Sequence, residues 1–356
     1  MDVIIIGGGL AGSHLALSLQ TQSVSVGLIH SNSSQGHCAS LAPAALFNPA
    51  AALQAKKSAF AEESYALIRS LISSFSAHEK SIIQENGILR PATDDRLYDN
   101  FKRSANDSDW PAEWIEWLEG DDFLSRFPEL NHALGGLLVH VGLTVNTPLL
   151  IDLLHNRFLN LGGQITEGLV VSVAQKNHKW VVTLENGVDI ETEKVVFANG
   201  FGIKKFDEWS FLKLHPVKGE TLTLNDTSVQ FPHSIASRGY LAFLDNQLVI
   251  GSTYNHHFDD IKPDNSSKNY LLNKLMVHFP EEEIHDLTLN LWSGIRITTP
   301  DRLPVIGEHP SLENMYILAG FGSKGLMYSQ LTAIELADLI LHNTPVRQEF
   351  SIHRFL

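Results

Sequence analysis

Gly7, Gly9 and Gly12 form a Gly-x-Gly-x-x-Gly spacing between an apolar run, Val3–Ile6, and a stretch with helical patterning from Leu10 to Gln20. That arrangement suits the pyrophosphate of a dinucleotide. The first glycine permits a tight turn, the second lets phosphate oxygens approach the backbone, and the third lets the helix pack close to the strand. The phosphates then lie at the positive end of the helix, faced by free N–H groups. Ser23–Ile29 reads as the next strand and completes the context the motif requires. The usual pattern has an acidic residue about 20 positions on, which holds the ribose hydroxyls. Here that place falls near His30 or Ser31, and an imidazole can hydrogen-bond a hydroxyl but lacks the carboxylate's charge. By itself the motif does not separate a nicotinamide dinucleotide from a flavin one.

The elements that must position this loop are spread along the chain. Ala55–Phe75 has helical periodicity, 86–143 is mixed and rich in Trp, Pro and Asp, and Leu149–Leu161 reads as a helix stopped at Gly162-Gly163. Then the period changes to that of strands. Leu169–Ala174, Lys179–Leu184 and Asp189–Val196 alternate, with Glu185-Asn186-Gly187 as a hairpin turn. His215–Leu224, Tyr240–Phe243 and Gln247–Ser252 suggest a second sheet, and Gly322–Leu341 a long helix opened by glycines. The expectation is an α/β protein in which a Rossmann-like domain (1–80, 145–205 and 290–356) is interleaved with a β-rich domain (81–144 and 206–289).

Composition narrows the function. The 356 residues are 44% hydrophobic and 19% charged, ample for a sizeable core, and the length favours two lobes. A formal net charge of −14 repels a phosphate backbone, and no Lys/Arg cluster is longer than a pair, such as Lys56-Lys57 or Lys204-Lys205. Nucleic acid is therefore not the expected partner. The single cysteine, Cys38, cannot form an internal disulfide, which fits a reducing compartment. The first basic residue is Lys56, so no basic segment precedes the apolar run, and Val3–Leu19 is too broken by glycine, Ser13 and His14 to span a membrane. A cytoplasmic protein is expected. The 17 histidines are scattered with no HExxH, so no metal is expected. Neither a G-x-S-x-G elbow nor a Walker A sequence occurs, which argues against hydrolysis and phosphoryl transfer.

Several further segments carry a resemblance. They are Ala39-Ser40-Leu41-Ala42-Pro43-Ala44-Ala45, Val195-Val196-Phe197-Ala198-Asn199-Gly200, His215-Pro216-Val217-Lys218-Gly219-Glu220 and the stretch from Tyr240 to Asp260. At the far end come Trp292-Ser293-Gly294-Ile295-Arg296, Thr299-Pro300-Asp301-Arg302-Leu303-Pro304-Val305-Ile306-Gly307 and Gly320-Phe321-Gly322-Ser323-Lys324-Gly325-Leu326. In order and spacing over nearly the whole chain these resemble the D-amino-acid-oxidase family of flavoproteins, which includes glycine oxidase and sarcosine oxidase. Ala198-Asn199-Gly200, Gly251-Ser252-Thr253-Tyr254, Asp301-Arg302-Leu303-Pro304 and Gly322–Leu326 look most like the FAD-dependent half of the bifunctional enzyme that modifies the tRNA wobble uridine. No methyltransferase half is expected here, in contrast to that enzyme.

The resemblance implies FAD as cofactor, on the GR2-type flavoprotein fold. It implies contacts to FAD from Gly7, Gly9, Leu10, Ala11, Gly12, His30, Ser40, Ala44, Ala45, Val170, Ala198, Asn199, Gly200, Gly294, Arg296, Gly322, Ser323, Lys324, Gly325 and Leu326. It further implies oxidation of the C–N bond of a primary or secondary amine or amino acid, by hydride transfer from the α carbon to flavin N5. Arg296 matches the position that holds a substrate carboxylate, since a guanidinium fork pairs both oxygens; the alternative is an ion pair with an acid such as Asp301. Lys324 and the helix end at Gly322–Gly325 would stabilise charge on the flavin's pyrimidine edge, unless Ser323 is a plain N-cap and Lys324 faces solvent. Tyr240 and Tyr254 would close the substrate pocket or belong to the core. Cys38 is a candidate for covalent flavin attachment or, more simply, a small buried residue. A small-molecule amine oxidoreductase is thus set against a stand-alone tRNA-modifying flavoenzyme and a non-catalytic flavin-binding scaffold.

Overall fold

Four consecutive apolar residues leave a strand no polar face, and Val3–Ile6 is accordingly buried on both sides at 0–3% exposure. In the computed structural model, which describes residues 1–31, 38–131, 133–225, 229–245, 247–279 and 288–356, this strand is central to a six-stranded sheet. The order is Gln164–Glu167, Val26–His30, Val3–Ile6, Lys194–Phe197, Met315–Ala319, Val305–Glu308. The first five are parallel, and the last returns antiparallel as a hairpin. Alternation sends Val3 and Ile5 into a core with the helices Leu10–Gln20, Thr147–Asn160 and Gly325–His342, where Leu15, Leu154, Phe158, Tyr328 and Leu336 lie. Ile4 and Ile6 face the other way, into a core with Trp180, Val182 and Phe197 under the three-stranded meander Val170–Lys176, Lys179–Leu184, Asp189–Thr192.

The second body is an eight-stranded sheet. Its order is Thr288–Thr298, His215–Asn225, Gln247–Gly251, Tyr240–Leu244, Ser234–Ala236, Ile88–Pro91, Gly135–Val139, Ile115–Glu119. All neighbours are antiparallel except Ser234–Ala236 with Ile88–Pro91. The fold is therefore α/β with an interleaved β-rich part. The mixed stretch 86–143 supplies three of these strands and two helices, Asp95–Ala105 and Gly120–Arg126. Positions 226–228, 246 and 280–287, within the expected β-rich ranges, lie outside the described residues.

Several boundaries differ from the periodicity: the strand expected over Asp189–Val196 is two, Asp189–Thr192 in the meander and Lys194–Phe197 in the six-stranded sheet, and two helices start late. The helix expected from Ala55 begins at Ala61, because Ala55 and Phe60 have left-handed backbones (φ +52° and +56°) and Lys56–Lys57 pairs with Ala50–Ala51. The helix expected from Gly322 begins at Gly325, since Gly320 and Gly322 are also left-handed (φ +80° and +55°). The stop at Gly162 (φ +87°) and the hairpin at Gly187 (φ +82°) match the expectation. Among the described residues, no helix is long and apolar enough to cross a membrane.

The strand Thr288–Thr298 joins the two bodies. On one side it pairs with His215–Asn225 along eleven positions, Arg296 opposite Val217 and Gly294 opposite Gly219. Elsewhere it bridges Cys38 at Ile295 and Phe321 at Thr298, and Gly322 N–H donates to Ile297 O at 2.8 Å. The segment after the second strand and the start of the last long helix thus meet on one strand.

The glycine turn that lets helix follow strand directly is sterically tight. A Cβ at Gly12 would lie 1.9 Å from Gly7 O, a backbone atom that cannot swing aside. Gly12→Ala should therefore destabilise the protein by about 1–3 kcal/mol or more, read as a lowered midpoint in urea unfolding. An unchanged midpoint would show that helix and strand are not packed this closely.

Candidate active site

Gly7 has φ +117°, and a Cβ there would lie 2.4 Å from Ala198 O, so only glycine fits the turn. Ile6 O accepts Ala198 N–H at 2.8 Å and Ile29 O accepts Gly7 N–H at 2.7 Å, which fixes the loop to both neighbouring strands. Gly9 occupies the N-cap position of the first helix; that helix has no side-chain cap and no acidic residue in its first turn. Leu10 N–H donates weakly to Ser40 Oγ at 3.3 Å. The positive helix end is thus left with no acidic residue in its first turn and no side-chain cap among the described residues. A Cβ at Gly9 would meet Ser40 Oγ at 3.1 Å and Cys38 Sγ at 3.3 Å, so the loop after the second strand lies against this end. Beside it Asn199 Oδ1 is buried without a protein partner, and Gly200 (φ +53°) has open space where a Cβ would stand. An uncapped helix end, an orphaned buried amide oxygen and a backbone cleared of side chains are what a bound dinucleotide requires. The residues present fit FAD.

The loop's other neighbours are two histidines. His30 closes the second strand, and its carbonyl accepts Gly168 N–H at 2.9 Å, which draws the start of Val170–Lys176 to the same sheet end. Val170 itself is buried in the core below. His155, on the helix Thr147–Asn160, packs beside His30 with ring centroids 5.5 Å apart. Burial, and then the neighbouring His30, hold the His155 pKa below its ordinary value. No motif marks His155 in the sequence; only the packing of its helix brings it here.

Arg296 projects from the joining strand across Gly219, where a Cβ would lie 1.9 Å from its Nη2. Nη2 donates to Ser252 Oγ at 3.1 Å and Thr253 O at 3.0 Å, and the guanidinium stacks on the Tyr254 ring at 4.4 Å. The alternative partner Asp301 is engaged elsewhere: its carboxylate takes Arg354 Nε at 2.7 Å. Arg296 is therefore not an Asp301 ion-pair residue. Tyr240 lies near the guanidinium, its ring fitting where Gly251 lacks a Cβ, and its hydroxyl donates to Ala44 O at 3.4 Å. Burial raises its phenol well above the usual range, opposed by Arg296. Tyr254 is 62% exposed, on the outer side of the cation. Gly294 sits opposite Gly219, with Trp292 against the space a Cβ would take.

The 252–267 segment that engages Arg296 is fastened by a buried pair. Thr253 N–H donates to Glu220 O at 3.1 Å, and Glu220 N–H donates to Thr253 Oγ1 at 2.9 Å. The Glu220 carboxylate takes Asp264 N–H at 2.7 Å and the Ser267 hydroxyl. Lys218 Nζ lies 3.6 Å from it and donates to Lys262 O at 2.6 Å. Both side chains are almost fully buried, and Lys218 Nζ also lies 3.5 Å from the exposed Asp260 carboxylate, so two acids balance the lysine. Sequence reading passed over this pair because Lys and Glu two apart in a strand look like an ordinary exposed face.

At the last helix, Lys324 occupies the N-cap position and Ser323 is exposed, with no side-chain cap, so Ser323 is not the N-cap residue. Lys324 is half-buried, its Nζ 5.6 Å from the Tyr328 ring and 3.4 Å from Arg302 O; burial, then Arg302, lowers its pKa. The space at Gly325 is open. Cys38 stays a thiol, since burial raises its pKa.

The family described as FAD dependent oxidoreductase matches residues 2–339. The tRNA 5-methylaminomethyl-2-thiouridine biosynthesis bifunctional protein of Legionella pneumophila is 26% identical over 381 residues, covering 95% of this chain and 54% of that protein. The chain thus spans little more than half the length of that relative. Glycine oxidase of Geobacillus kaustophilus is 26% identical over 352 residues, covering 95% and 92%. Its crystal structure superposes with a TM-score of 0.83 at 23% identity, covering 99% of this chain and 97% of that one. Iminodiacetate oxidase from Chelativorans sp. shares the fold at a TM-score of 0.81 and 19% identity, covering 98% and 99%.

Because Arg296 Nη2 occupies the space of a Gly219 Cβ, Gly219→Ala must push the guanidinium aside. A displacement of about 1 Å can cost roughly 100-fold in rate, so kcat/KM for a carboxylate substrate should fall about 10- to 100-fold while bound flavin stays constant. Unchanged kinetics in that variant would remove Arg296 from the site.

Proposed function

The chain belongs to the family of FAD-dependent oxidoreductases, and we propose that it oxidises the C–N bond of an amine that carries a carboxylate, an amino acid or N-substituted glycine. The observation that carries this reading is the setting of Arg296. Its Nη2 is spent on Ser252 and Thr253, while among the described residues Nε and Nη1 make no protein hydrogen bond. A cation half-buried against an aromatic face, with its Nε and Nη1 hydrogens unspent, suits the oxygens of a carboxylate. Bound FAD supplies the hydride acceptor at its N5.

The chain's own residues do the rest. Gly7, Gly9, Leu10, Ala11 and Gly12 present the helix end to the pyrophosphate, with Ser40, Ala44, Ala45, Ala198, Asn199 and Gly200 lining its path. Gly322, Ser323, Lys324, Gly325 and Leu326 present the second helix end, where positive potential favours electron density on the flavin. Arg296 orients the substrate, and Glu220 and Lys218 keep Arg296's partners in place. Tyr240, its phenol held protonated by burial, closes the floor against Ala44. Segments 1–80, 145–205 and 290–356 would hold the cofactor, and 81–144 and 206–289 the substrate, with Arg296 reaching it from Thr288–Thr298, a strand of the eight-stranded sheet.

A carboxymethylaminomethyl group on a tRNA base is also an N-substituted glycine, and the name of the Legionella relative favours this second reading. The net charge of −14 opposes it. Turnover of such a tRNA should be slight beside that of free N-substituted glycines; robust turnover that falls steeply with salt would reverse the order.

The first test is anaerobic flavin bleaching by amino acids and by their esters. Acids should reduce the flavin faster than esters, and protein denatured by heat should release FAD. Arg296→Ala should weaken the acid's binding by about 2–5 kcal/mol, roughly 30- to several-thousand-fold, with Arg296→Lys recovering part. Equal rates for acid and ester in the unaltered protein would widen the substrate class to simple amines and return Arg296 to a structural role.

A further inference from the structure

The second strand ends on His30 where dinucleotide folds of this kind place a carboxylate for the ribose hydroxyls. A second imidazole stands beside it. A Cβ on Gly8 would lie 2.7 Å from His30 Cβ and 3.3 Å from both Cε1 and Nε2 of His155. The His30 Cβ and the His155 ring thus both lie against Gly8, the residue before Gly9 in the glycine turn.

The hydrogen bonds fix which nitrogen is free. Ser13 Oγ donates to Gly8 O at 3.2 Å, which leaves that oxygen able to accept from His155 Nε2 at 3.0 Å; Nε2 is also 3.2 Å from Gly8 O. A carbonyl only accepts, so Nε2 carries the proton of the neutral ring and Nδ1 keeps its lone pair. Burial and the adjacent His30 keep the ring neutral, with Asp152 acting the other way. Among the described residues, Nδ1 has no protein donor. A bare imidazole nitrogen asks for a hydroxyl.

We propose that His155 and His30 together receive the 2′ and 3′ hydroxyls of the adenosine ribose, with imidazole nitrogens in place of the missing carboxylate. His155 contributes an acceptor held in register by Ser13 and the Gly8 carbonyl, from a helix outside the strand–turn–helix motif. His30 contributes the position at the strand end. The ribose is thereby bound by a seat that belongs to three segments, and its strength depends on the packing of Thr147–Asn160 against the glycine loop.

The test compares ADP with 2′,3′-dideoxy-ADP as displacers of FAD from the holoenzyme, followed by the flavin fluorescence released. The unaltered protein should prefer ADP by roughly tenfold, the effect of one or two modest hydrogen bonds. His155→Leu and His30→Leu should each erase most of that preference while leaving displacement by the dideoxy nucleotide unchanged. A preference that survives in both variants, or a loss that falls equally on the two nucleotides, would overturn the assignment and leave the histidines as packing residues. Failure of either nucleotide to displace FAD from the unaltered protein would overturn it differently, by removing FAD from the glycine loop altogether.

Discussion

The closeness of strand and helix at the first turn is the constraint on which the rest depends. With Gly12 touching the Gly7 carbonyl, the helix Leu10–Gln20 starts where the strand Val3–Ile6 stops, and its open N–H groups point out over the sheet's end. Among the described residues, that positive end has no acidic residue in its first turn and no side-chain cap. A fold that leaves such a terminus uncapped next to an unpartnered Asn199 oxygen is unfinished without an anionic, hydrogen-bonding ligand. Cofactor binding is therefore built into the backbone, before any side chain is considered.

The proposed substrate side works by a different physics. The Arg296 guanidinium is held by three weak partners: a hydroxyl, a carbonyl and an aromatic face. None neutralises it. Its charge stays available, while its orientation is set by a segment pinned through the buried Lys218–Glu220 pair. An isolated buried ion pair contributes little net stability, but removing one member leaves an unpaired charge. In this place the pair's effect is positional, since Thr253 is bonded to Glu220 through both backbone and side chain. Two glycines, Gly219 and Gly251, then act by absence, giving room to the Arg296 guanidinium and the Tyr240 ring.

The joining strand makes these two systems one site. Thr288–Thr298 is hydrogen-bonded into the eight-stranded sheet, yet touches the segment at Cys38 and the entry to the last helix at Gly322. A shift of this strand would move Arg296 relative to both helix ends at once. That rigidity is what a hydride transfer between two bound molecules demands, because the reacting atoms must be held near contact distance.

The sequence alone determined the parts whose chemistry is local. The glycine spacing, the apolar strand, the Gly162 and Gly187 turns and the α/β alternation follow from backbone sterics and from which faces can be buried, and these act over a few residues. Arg296 was legible only because a longer resemblance marked its place; its spacing to Asp301 suggested an ion pair that Arg354 in fact takes. The early start read for the helix after Ala55 failed because left-handed alanine and phenylalanine leave no trace in hydrophobic period. Only the tertiary structure decided that His155 stands beside His30, that Glu220 and Lys218 are buried together, and that Gly219 lies under a guanidinium. Those relations join residues 77 to 125 positions apart or depend on which face a strand presents, and both are settled by packing of whole elements and not by neighbouring residue types.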